Sequence, residues 1–313
     1  MSPVVAVAGG SGGLGRAIVD ALKADGSYDV VILARKSNPK LELETGARVL
    51  AADYSNPDSL LALFEENKIW TVVSTLNISL DRTVELNLIQ AASRSQVTRR
   101  FIPNMWSAMV FKPEHANAHP MVPGLFQIRD ALTKTNLEWT VIHPGIFLEY
   151  YVSGLPTYVE RFPVAVDIDA DVAGIPGSGK IPVSFTYTFD IGRYVTKLLS
   201  LEKWEKEYLL AGDNKTWDDV VSTVQAAKGV QMEVTYDSPE KLQSGRVTEI
   251  PGYKKLYEAF GDVDVAKQIV AQYGLWMEEG AFHYASGNLL NELFPEIKPL
   301  SMQEAWGKAR GTS

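Results

Sequence analysis

The first 145 residues alternate short apolar runs with segments whose apolar positions recur every three to four residues. The run Val4–Ala8 is apolar throughout, as in a strand buried on both faces, and 13–25 shows the helical repeat. Strands that alternate with helices form a parallel sheet covered on both faces. We therefore predict a doubly wound α/β domain, with strands at 4–8, 30–33, 49–51, 70–73, 101–102 and 139–142 and helices at 13–25, 57–67, 81–95 and 122–136.

The pattern changes after Pro144, where Gly, Pro and Tyr interrupt the apolar runs. A strand is predicted at 185–189, with Asp190 as the N-cap of the next helix. Another strand is predicted at 208–210, before a helix that opens near Thr216, and the chain from 251 onwards is mostly helical. We expect a first domain over 1–150 and a smaller, less regular domain over 151–313, from which the pieces at 185–228 return to the first sheet.

Composition excludes several classes of protein. The 313 residues carry 30 Lys and Arg against 38 Asp and Glu, and the formal net charge of −8 argues against a nucleic-acid partner. The absence of cysteine excludes a disulfide scaffold, a thiolate metal site and a cysteine nucleophile. The sequence contains neither a run of 18 apolar residues nor a signal-peptide pattern. We therefore expect a soluble cytoplasmic protein with no membrane partner.

A glycine-rich segment, Gly-Gly-Ser-Gly-Gly-Leu-Gly at 9–15, joins the first predicted strand to the first predicted helix. Glycines spaced in this way permit a tight turn, close approach of a pyrophosphate and close helix–strand packing. The start of a helix also offers N–H groups and a positive dipole end to phosphate. A glycine-rich turn that binds nothing is the alternative. We expect a Rossmann nucleotide domain over 1–150 and a substrate-binding domain over 151–313, with cofactor contacts from Gly9, Ser11, Gly12, Gly13, Leu14 and Gly15.

Three other patterns do not support a site of their own. Gly9–Gly13 matches the Gly-x-Ser-x-Gly elbow of hydrolases, but only eight residues precede it, too few for the loop that supplies an oxyanion donor. The segment 174–180 resembles a phosphate-binding loop, but Ile181 stands where Ser or Thr would hold Mg²⁺. His115 and His119 are four residues apart between prolines, which leave little room for a stable metal-binding helix. No metal is expected.

The end of the second predicted strand indicates which dinucleotide would bind. An NAD-specific domain places Asp or Glu there to bind the ribose 2′-hydroxyl, whereas this chain has Arg35 followed by Lys36. A guanidinium group pairs bidentately with phosphate. We therefore predict NADP(H) as the cofactor, with Arg35 and Lys36 at its 2′-phosphate. A solvated basic pair is the alternative.

These motifs resemble those of the NmrA-like and isoflavone-reductase-like branch of the atypical short-chain dehydrogenases. The resemblance is good to about residue 225, and it rests on 9–15, Leu-Ala-Arg at 33–35, Arg-Arg-Phe-Ile-Pro at 99–103, Leu-Glu-Trp-Thr-Val-Ile at 137–142 and the segment 185–194. It implies a Rossmann fold, NADP(H) and a cleft roofed by the C-terminal part. It also implies that Thr75, Leu76 and Pro103 flank the cofactor and that Phe147 lies against the nicotinamide.

The chain departs from the family at the proton donor. No tyrosine is followed by lysine four residues on, and Leu125 stands where isoflavone-type reductases have a lysine. Reduction of a ketone creates an alkoxide that needs an acid, whereas reduction of an iminium ion gives a neutral amine and needs none. Tyr150 and His119 are the remaining candidates for a catalytic group. We expect the substrate to contact Leu125, Trp106 and Tyr151.

Three functions fit these residues. The first is an NADPH-dependent oxidoreductase that acts on a small aromatic or alkaloid secondary metabolite, through an imine, an iminium ion or a conjugated carbonyl. The second is a non-catalytic NADP-sensing regulator that resembles NmrA, and only in this case is a protein partner expected. The third is an NADP-binding enzyme that promotes a ring closure without redox chemistry. We favour the oxidoreductase, and the sequence names neither its substrate nor its oligomeric state.

Overall fold

A computed structural model describes residues 2–76 and 81–311. In the first part of the chain, strands and helices alternate. They are β1 (Val4–Ala8), α1 (Gly13–Asp25), β2 (Asp29–Ala34), α2 (Pro39–Thr45), β3 (Arg48–Ala51), α3 (Pro57–Glu66), β4 (Ile69–Ser74), α4 (Thr83–Arg94), β5 (Arg100–Ile102), α5 (Val122–Thr133), β6 (Glu138–Trp139), β7 (Val141–His143) and β8 (Ile146–Phe147).

The central sheet is parallel. Within the described residues its six strands have the order β3-β2-β1-β4-β5-β6. Val5, Ala6 and Val7 of β1 are at most 1% exposed, because helices cover both faces of the sheet. The predicted doubly wound α/β class is therefore confirmed. The strand order reverses between β1 and β4, and folds of this type bind ligands in the crevice outside the carboxyl ends of those strands.

The second part of the chain is less regular and forms smaller sheets. The elements of this part are β9 (Val166–Asp167), β10 (Val172–Pro176), β11 (Val183–Thr186), α6 (Thr188–Leu199), β12 (Glu207–Leu209), β13 (Asp213–Lys215), α7 (Trp217–Lys228), β14 (Glu233–Asp237), α8 (Pro239–Gln243), α9 (Tyr253–Phe260), α10 (Val263–Glu278), α11 (Leu290–Leu293) and α12 (Met302–Ala309). β11 lies between β8 and β13, and β12 pairs in parallel with β7, beside the last strand of the central sheet.

Helix α6 packs directly on α1 of the first part. Gly192 makes this possible, because a Cβ there would lie 2.6 Å from the carbonyl oxygen of Ala17. Ile191, Tyr194 and Val195 of α6 are fully buried in the core on this side of the central sheet. Residues beyond 150 thus contribute to the first core, while the division at 150 stays a prediction.

The structure differs from the sequence prediction at Asp190. Helix α6 begins at Thr188, two residues before the position expected to cap it, and strand β11 ends at Thr186. Asp190 lies within the first turn of the helix, and its carboxylate accepts the Leu300 N–H at 2.7 Å. A buried carboxylate near a helix N-terminus is favoured by the helix dipole. Asp190 therefore attaches the C-terminal segment to α6 and does not start the helix.

Arg100 connects the edge of the central sheet to the end of α6. Its guanidinium donates to three backbone carbonyls within 199–202 at 2.8–2.9 Å and to Glu138 at 2.7 Å. It also lies 4.6 Å from the centre of the Trp204 ring. The neighbouring Arg99 is exposed, and its hydrogen bonds reach carbonyls within the preceding three residues. Arg99 also lies 5.8 Å from the centre of the Trp70 ring, but only Arg100 hydrogen-bonds to segments distant in the chain.

We expect Arg100→Ala to lower the free energy of unfolding by about 2–4 kcal/mol, because several carbonyls and the Glu138 carboxylate lose their donor. Arg99→Ala removes the same type of side chain one residue away and should change the free energy of unfolding by less than about 0.5 kcal/mol. Urea unfolding followed by circular dichroism measures both. Equal losses in the two variants would contradict this role for Arg100.

Candidate functional site

The glycine-rich segment forms the turn from β1 into α1, and two of its glycines are fixed by close packing. Gly9 has φ +82°, and a Cβ there would lie 2.7 Å from the carbonyl oxygen of Thr75. A Cβ on Gly15 would lie 2.5 Å from the carbonyl oxygen of Gly9. A side chain at either position would separate β1, α1 and the end of β4. These glycines keep the turn tight.

Ser11 and Gly12 lie on the open side of the same turn. Both are exposed, and a Cβ on Gly12 would have no heavy atom within 4 Å. Helix α1 begins at Gly13, and Leu14 is already buried under the helix. The first N–H groups of a helix have no partner within the helix and favour anions. The turn therefore leaves space for a pyrophosphate at the start of α1.

A loop from the second part of the chain lies across this turn. The Gly13 N–H donates to the carbonyl of Tyr158 at 3.2 Å. The Tyr158 hydroxyl donates to Asp20 at 2.7 Å, and the Arg16 guanidinium lies 5.0 Å from the ring centre. These contacts hold the loop beside the glycine turn.

Arg35 and Lys36 lie next to the glycine turn on the neighbouring strand. They follow β2, which pairs in parallel with β1, and both side chains are exposed. The Tyr54 hydroxyl donates to the Leu33 carbonyl at 2.8 Å and fixes the end of this strand. The two cations are thus at the edge of the sheet where dinucleotides bind in folds of this type.

The residues after β4 and β5 lie along the other side of the crevice. Thr75 donates from its N–H and its hydroxyl to the carbonyl of Ala8, both at 2.9 Å. The carbonyl of Leu76 accepts from the side-chain amide of Asn104. Pro103 is buried, whereas Thr75 and Leu76 are half-buried. This side of the crevice is therefore held to β1 by backbone contacts.

A cavity of about 400 Å³ opens next to Asn104, between the sheet edge and the second part of the chain. That volume is in the range of small-molecule sites. Most of its wall is apolar and aromatic, and includes Trp106, Leu125, Phe147, Phe162, Tyr273 and Phe282. The polar residues that line it include Arg82, Asn104, Ser107 and Tyr150. The cavity suits a flat, mostly apolar molecule with a few polar atoms.

Arg82 brings a positive charge to the cavity wall beside Leu125. Its side chain passes under α5, where a Cβ on Gly124 would lie 2.6 Å from its Nε. Its Nη2 is 3.4 Å from the carbonyl oxygen of Met121. Burial lowers the pKa of Arg82 below its ordinary value, against the opposing charge of Glu85, but a guanidinium stays charged in proteins. The cavity therefore has a cation although position 125 is leucine.

Glu85 lies behind Asn104 and is fully buried. Its carboxylate accepts from the Ser74 hydroxyl at 2.6 Å and from the Asn104 N–H at 2.9 Å. Burial raises the pKa of Glu85 to about 7, while these hydrogen bonds and the charge of Arg82 oppose the rise. The network fixes Asn104 at the mouth of the cavity.

Leu125 and Trp106, two of the three residues predicted from the sequence to contact substrate, line the cavity. Phe147, predicted at the cofactor, and Tyr150, a candidate catalytic residue, line it as well. Tyr151 does not, because the 3₁₀ turn Leu148–Tyr151 directs it into the core, where it is fully buried and donates to the carbonyl of Val164 at 3.0 Å. The structure therefore brings Tyr150 to the cavity and leaves its neighbour outside it.

Of the two candidate catalytic residues, only Tyr150 reaches the cavity. Burial and the nearby Glu149 raise the pKa of Tyr150. His119 is 2% exposed and lies one layer behind the wall, with its ring centre 5.0 Å from that of Tyr273. Burial lowers the pKa of His119 to about 4, so the ring is neutral near pH 7. A neutral imidazole outside the cavity is poorly placed to donate a proton.

Four polar residues at or behind the cavity wall were missed by the sequence analysis. Glu85 lies on the apolar stripe of α4 with Leu88 and Ile89, and His143 ends the buried strand β7. A charged or titratable residue within an apolar pattern is a signal that could have identified both. Arg82 and Ser107 lie in irregular segments, where hydrophobic periodicity gives no information.

Residues 2–76 and 81–311 contain no helix that is long and apolar enough to cross a membrane. In the same residues, no group of three or more His, Asp or Glu side chains is arranged to hold a metal ion.

Comparison with known proteins shows the family. The family model described as the NmrA-like family matches residues 1–291. Oxidoreductase BOA1 of Botryotinia fuckeliana is 34% identical, over 94% of this chain and 95% of that protein. Oxidoreductase swnN of Metarhizium robertsii is 30% identical, over 96% of this chain and 95% of that protein.

The fold is also similar to that of solved structures. The complex of leucoanthocyanidin reductase with NADPH from Vitis vinifera has a TM-score of 0.74 and 17% identity, over 97% of this chain and 98% of that one. At this identity the likeness shows the fold alone. The family model and these relatives agree with the resemblance inferred from the motifs at 9–15 and 33–35. The chain therefore belongs to the NmrA-like family and is an oxidoreductase.

Proposed function

We propose that this oxidoreductase uses NADPH to reduce a small conjugated or aromatic carbonyl compound of secondary metabolism. Arg82 lines an otherwise mostly apolar cavity beside the crevice, and this supports the proposal most strongly. A cation there favours a substrate whose oxygen gains negative charge during reduction.

The residues at the crevice fit NADPH. The open space at Gly12 would take the pyrophosphate, and Arg35 and Lys36 would bind the 2′-phosphate. Phe147 would lie beside the nicotinamide, at the wall of the cavity. The leucoanthocyanidin reductase of similar fold was solved with NADPH, which supports this choice of cofactor. Bound NADPH supplies a hydride, and the protein must orient the substrate and stabilise its oxygen.

The charge in the cavity bears on the choice between a carbonyl and an iminium substrate. With leucine at position 125, the cavity lacks the lysine ammonium group that the resemblance implies there. This change alone would favour a cationic iminium ion as the substrate. Arg82 lines the same cavity, however, and a like charge in a partly desolvated site opposes binding of a cation. The carbonyl substrate is therefore the better fit.

The cavity also bears on the choice between an enzyme and a sensor. A protein that only senses dinucleotide needs the crevice and a surface for its partner. This chain has in addition a cavity of about 400 Å³ beside the crevice, with aromatic walls and Arg82, Asn104, Ser107 and Tyr150 as polar groups. Such a cavity supports a small-molecule substrate.

We expect NADPH to bind at least tenfold more tightly than NADH, about 1.4 kcal/mol, because the Arg35 guanidinium pairs with the 2′-phosphate. Arg35→Ala should remove most of this preference. Arg48→Ala removes an exposed arginine at the start of β3, the opposite edge of the sheet, and should leave the preference unchanged. Fluorescence titration with both dinucleotides measures this. Equal affinities in the native protein would contradict the assignment.

We expect Gly12→Val to abolish NADPH binding while the protein stays folded, because the side chain would fill open space that the pyrophosphate needs. Gly15→Val is the contrasting variant, since its side chain would collide with the Gly9 carbonyl and destabilise the fold itself. Thermal unfolding and NADPH titration separate the two effects. Retained binding in folded Gly12→Val would mean that the cofactor lies elsewhere.

We expect the native protein to reduce a cyclic enone at least tenfold faster than the N-methyl iminium ion of the same ring. Arg82→Met should lower kcat for the enone about 100-fold, because a charged donor near the substrate oxygen is lost. Arg94→Met, at the exposed far end of α4, is the matched control and should not change kcat. NADPH consumption under steady-state conditions measures all of these rates.

Two results would count against the carbonyl proposal. Faster turnover of the iminium ion by the native protein would show that the Arg82 charge does not govern substrate choice. Tight NADPH binding without consumption of any substrate in a panel of ketones, enones and imines would favour the regulator.

A further inference from the structure

Ser107 connects the cavity to a buried histidine. It lies in the loop after β5 and contributes to the cavity wall. Its hydroxyl oxygen is 2.7 Å from Nδ1 of His143, the last residue of β7, and 2.8 Å from the carbonyl oxygen of Met109. A hydroxyl has one proton, so when Ser107 donates to that carbonyl it accepts a hydrogen bond from the N–H at Nδ1.

The other side of the His143 ring faces a carboxylate. Nε2 lies 3.2 Å from an oxygen of Glu207, the first residue of β12, although without a well-aligned hydrogen bond. Glu207 also pairs with Arg129 of α5, and its side chain is 30% exposed. Its contacts with His143 and then Arg129 lower the pKa of Glu207 to about 2. The carboxylate is thus charged at neutral pH and favours a proton on Nε2.

These contacts form one path between the cavity and the surface. It starts at the Ser107 hydroxyl, passes through the His143 ring, which is 2% exposed, and ends at the partly exposed Glu207. The parallel pairing of β12 with β7 sets Glu207 beside this ring, and Leu210 N–H donates to the His143 carbonyl at 2.9 Å. Tyr150, the other hydroxyl at the cavity wall, has no hydrogen bond to a described residue that would resupply its proton.

We propose that Ser107 is the proton donor of this reductase and that His143 and Glu207 resupply it. The inference rests on the proposed function. The substrate carbon takes the hydride of NADPH, which leaves as NADP⁺, and the substrate oxygen takes the proton of the Ser107 hydroxyl. Ser107 regains a proton from His143 Nδ1, which leaves the ring neutral with its remaining proton on Nε2 beside Glu207, and a proton from solvent recharges the ring after the alcohol leaves. The products are an alcohol and NADP⁺, with one proton consumed. This path supplies the proton that the leucine at position 125 cannot donate.

Ser107→Ala should lower kcat for the enone about 100-fold or more, the usual contribution of a positioned acid. NADPH affinity should stay within twofold, because the hydroxyl is not needed to bind the cofactor. Ser107→Thr keeps the hydroxyl and should retain at least a tenth of native kcat. Ser178→Ala, in an exposed turn, is the matched control and should be unchanged.

A variant of Glu207 tests the role of His143 as a positioning residue. Glu207 and Arg129 are the charged groups at the ring, and burial and then the charge of Glu207 raise the pKa of the nearby Tyr284. Because His143 is buried, the partly exposed Glu207→Gln is the second variant, and it should lower kcat for the enone while leaving NADPH affinity unchanged.

Nuclear magnetic resonance of the imidazole groups gives a readout that does not depend on activity. The chain has four histidines, so ¹⁵N-histidine spectra are simple to assign. Ser107→Ala should change the Nδ1 signal of His143 in the protein with NADP⁺, and Glu207→Gln should change its Nε2 signal. If neither the Nδ1 signal nor the Nε2 signal changes, the proposed path is wrong.

The kinetic outcomes separate the two proposals. Enone reduction that falls in Ser107→Ala, and is retained in Ser107→Thr, supports both the reductase and the path. Enone reduction that is unchanged in Ser107→Ala overturns the path and leaves the reductase standing. No reduction of any carbonyl by the native protein overturns the reductase, and the role of Ser107 as its proton donor falls with it.

Discussion

The contact of Gly15 with Gly9 and Thr75 fixes the geometry on which the site depends. It holds β1, α1 and the end of β4 so close that a Cβ on Gly15 would lie 2.5 Å from a backbone oxygen. The crevice lies outside the carboxyl ends of these strands, and Gly12 faces open space between the packed positions Gly9 and Gly15. Arg35, Thr75 and Asn104 then reach one edge, since parallel strands end together there.

Charge in the cavity follows from a second close contact. Arg82 passes under α5 at Gly124, where a Cβ would lie 2.6 Å from its Nε. In the proposed function, this guanidinium takes the place of the ammonium that the resemblance to isoflavone-type reductases implies at position 125. Desolvation opposes a charge there, and the cation is tolerated because Glu85 and the Met121 carbonyl lie close to it. The positive charge of Arg82 suits the cavity to a substrate whose oxygen gains negative charge during reduction.

The sequence predicted the fold and the cofactor edge better than the substrate end. The apolar periodicity and the glycine spacing at 9–15 can be found in the sequence because each depends on residues that are close together in the chain. The path from Ser107 to Glu207 joins residues 100 positions apart, and only the pairing of β12 with β7 brings them together. The sequence also placed both Tyr150 and Tyr151 at the substrate, whereas a single 3₁₀ turn brings only Tyr150 to the cavity and buries Tyr151.

In the proposed function, Arg82 supplies the cation that the resemblance to isoflavone-type reductases implies at position 125. The double variant Arg82→Met/Leu125→Lys tests this role, by kcat/KM for the cyclic enone compared with Arg82→Met alone. We expect the lysine to raise kcat/KM at least tenfold above that of Arg82→Met, because it returns a positive charge to the same wall of the cavity. A double variant no more active than Arg82→Met, with NADPH affinity retained, would contradict the claim.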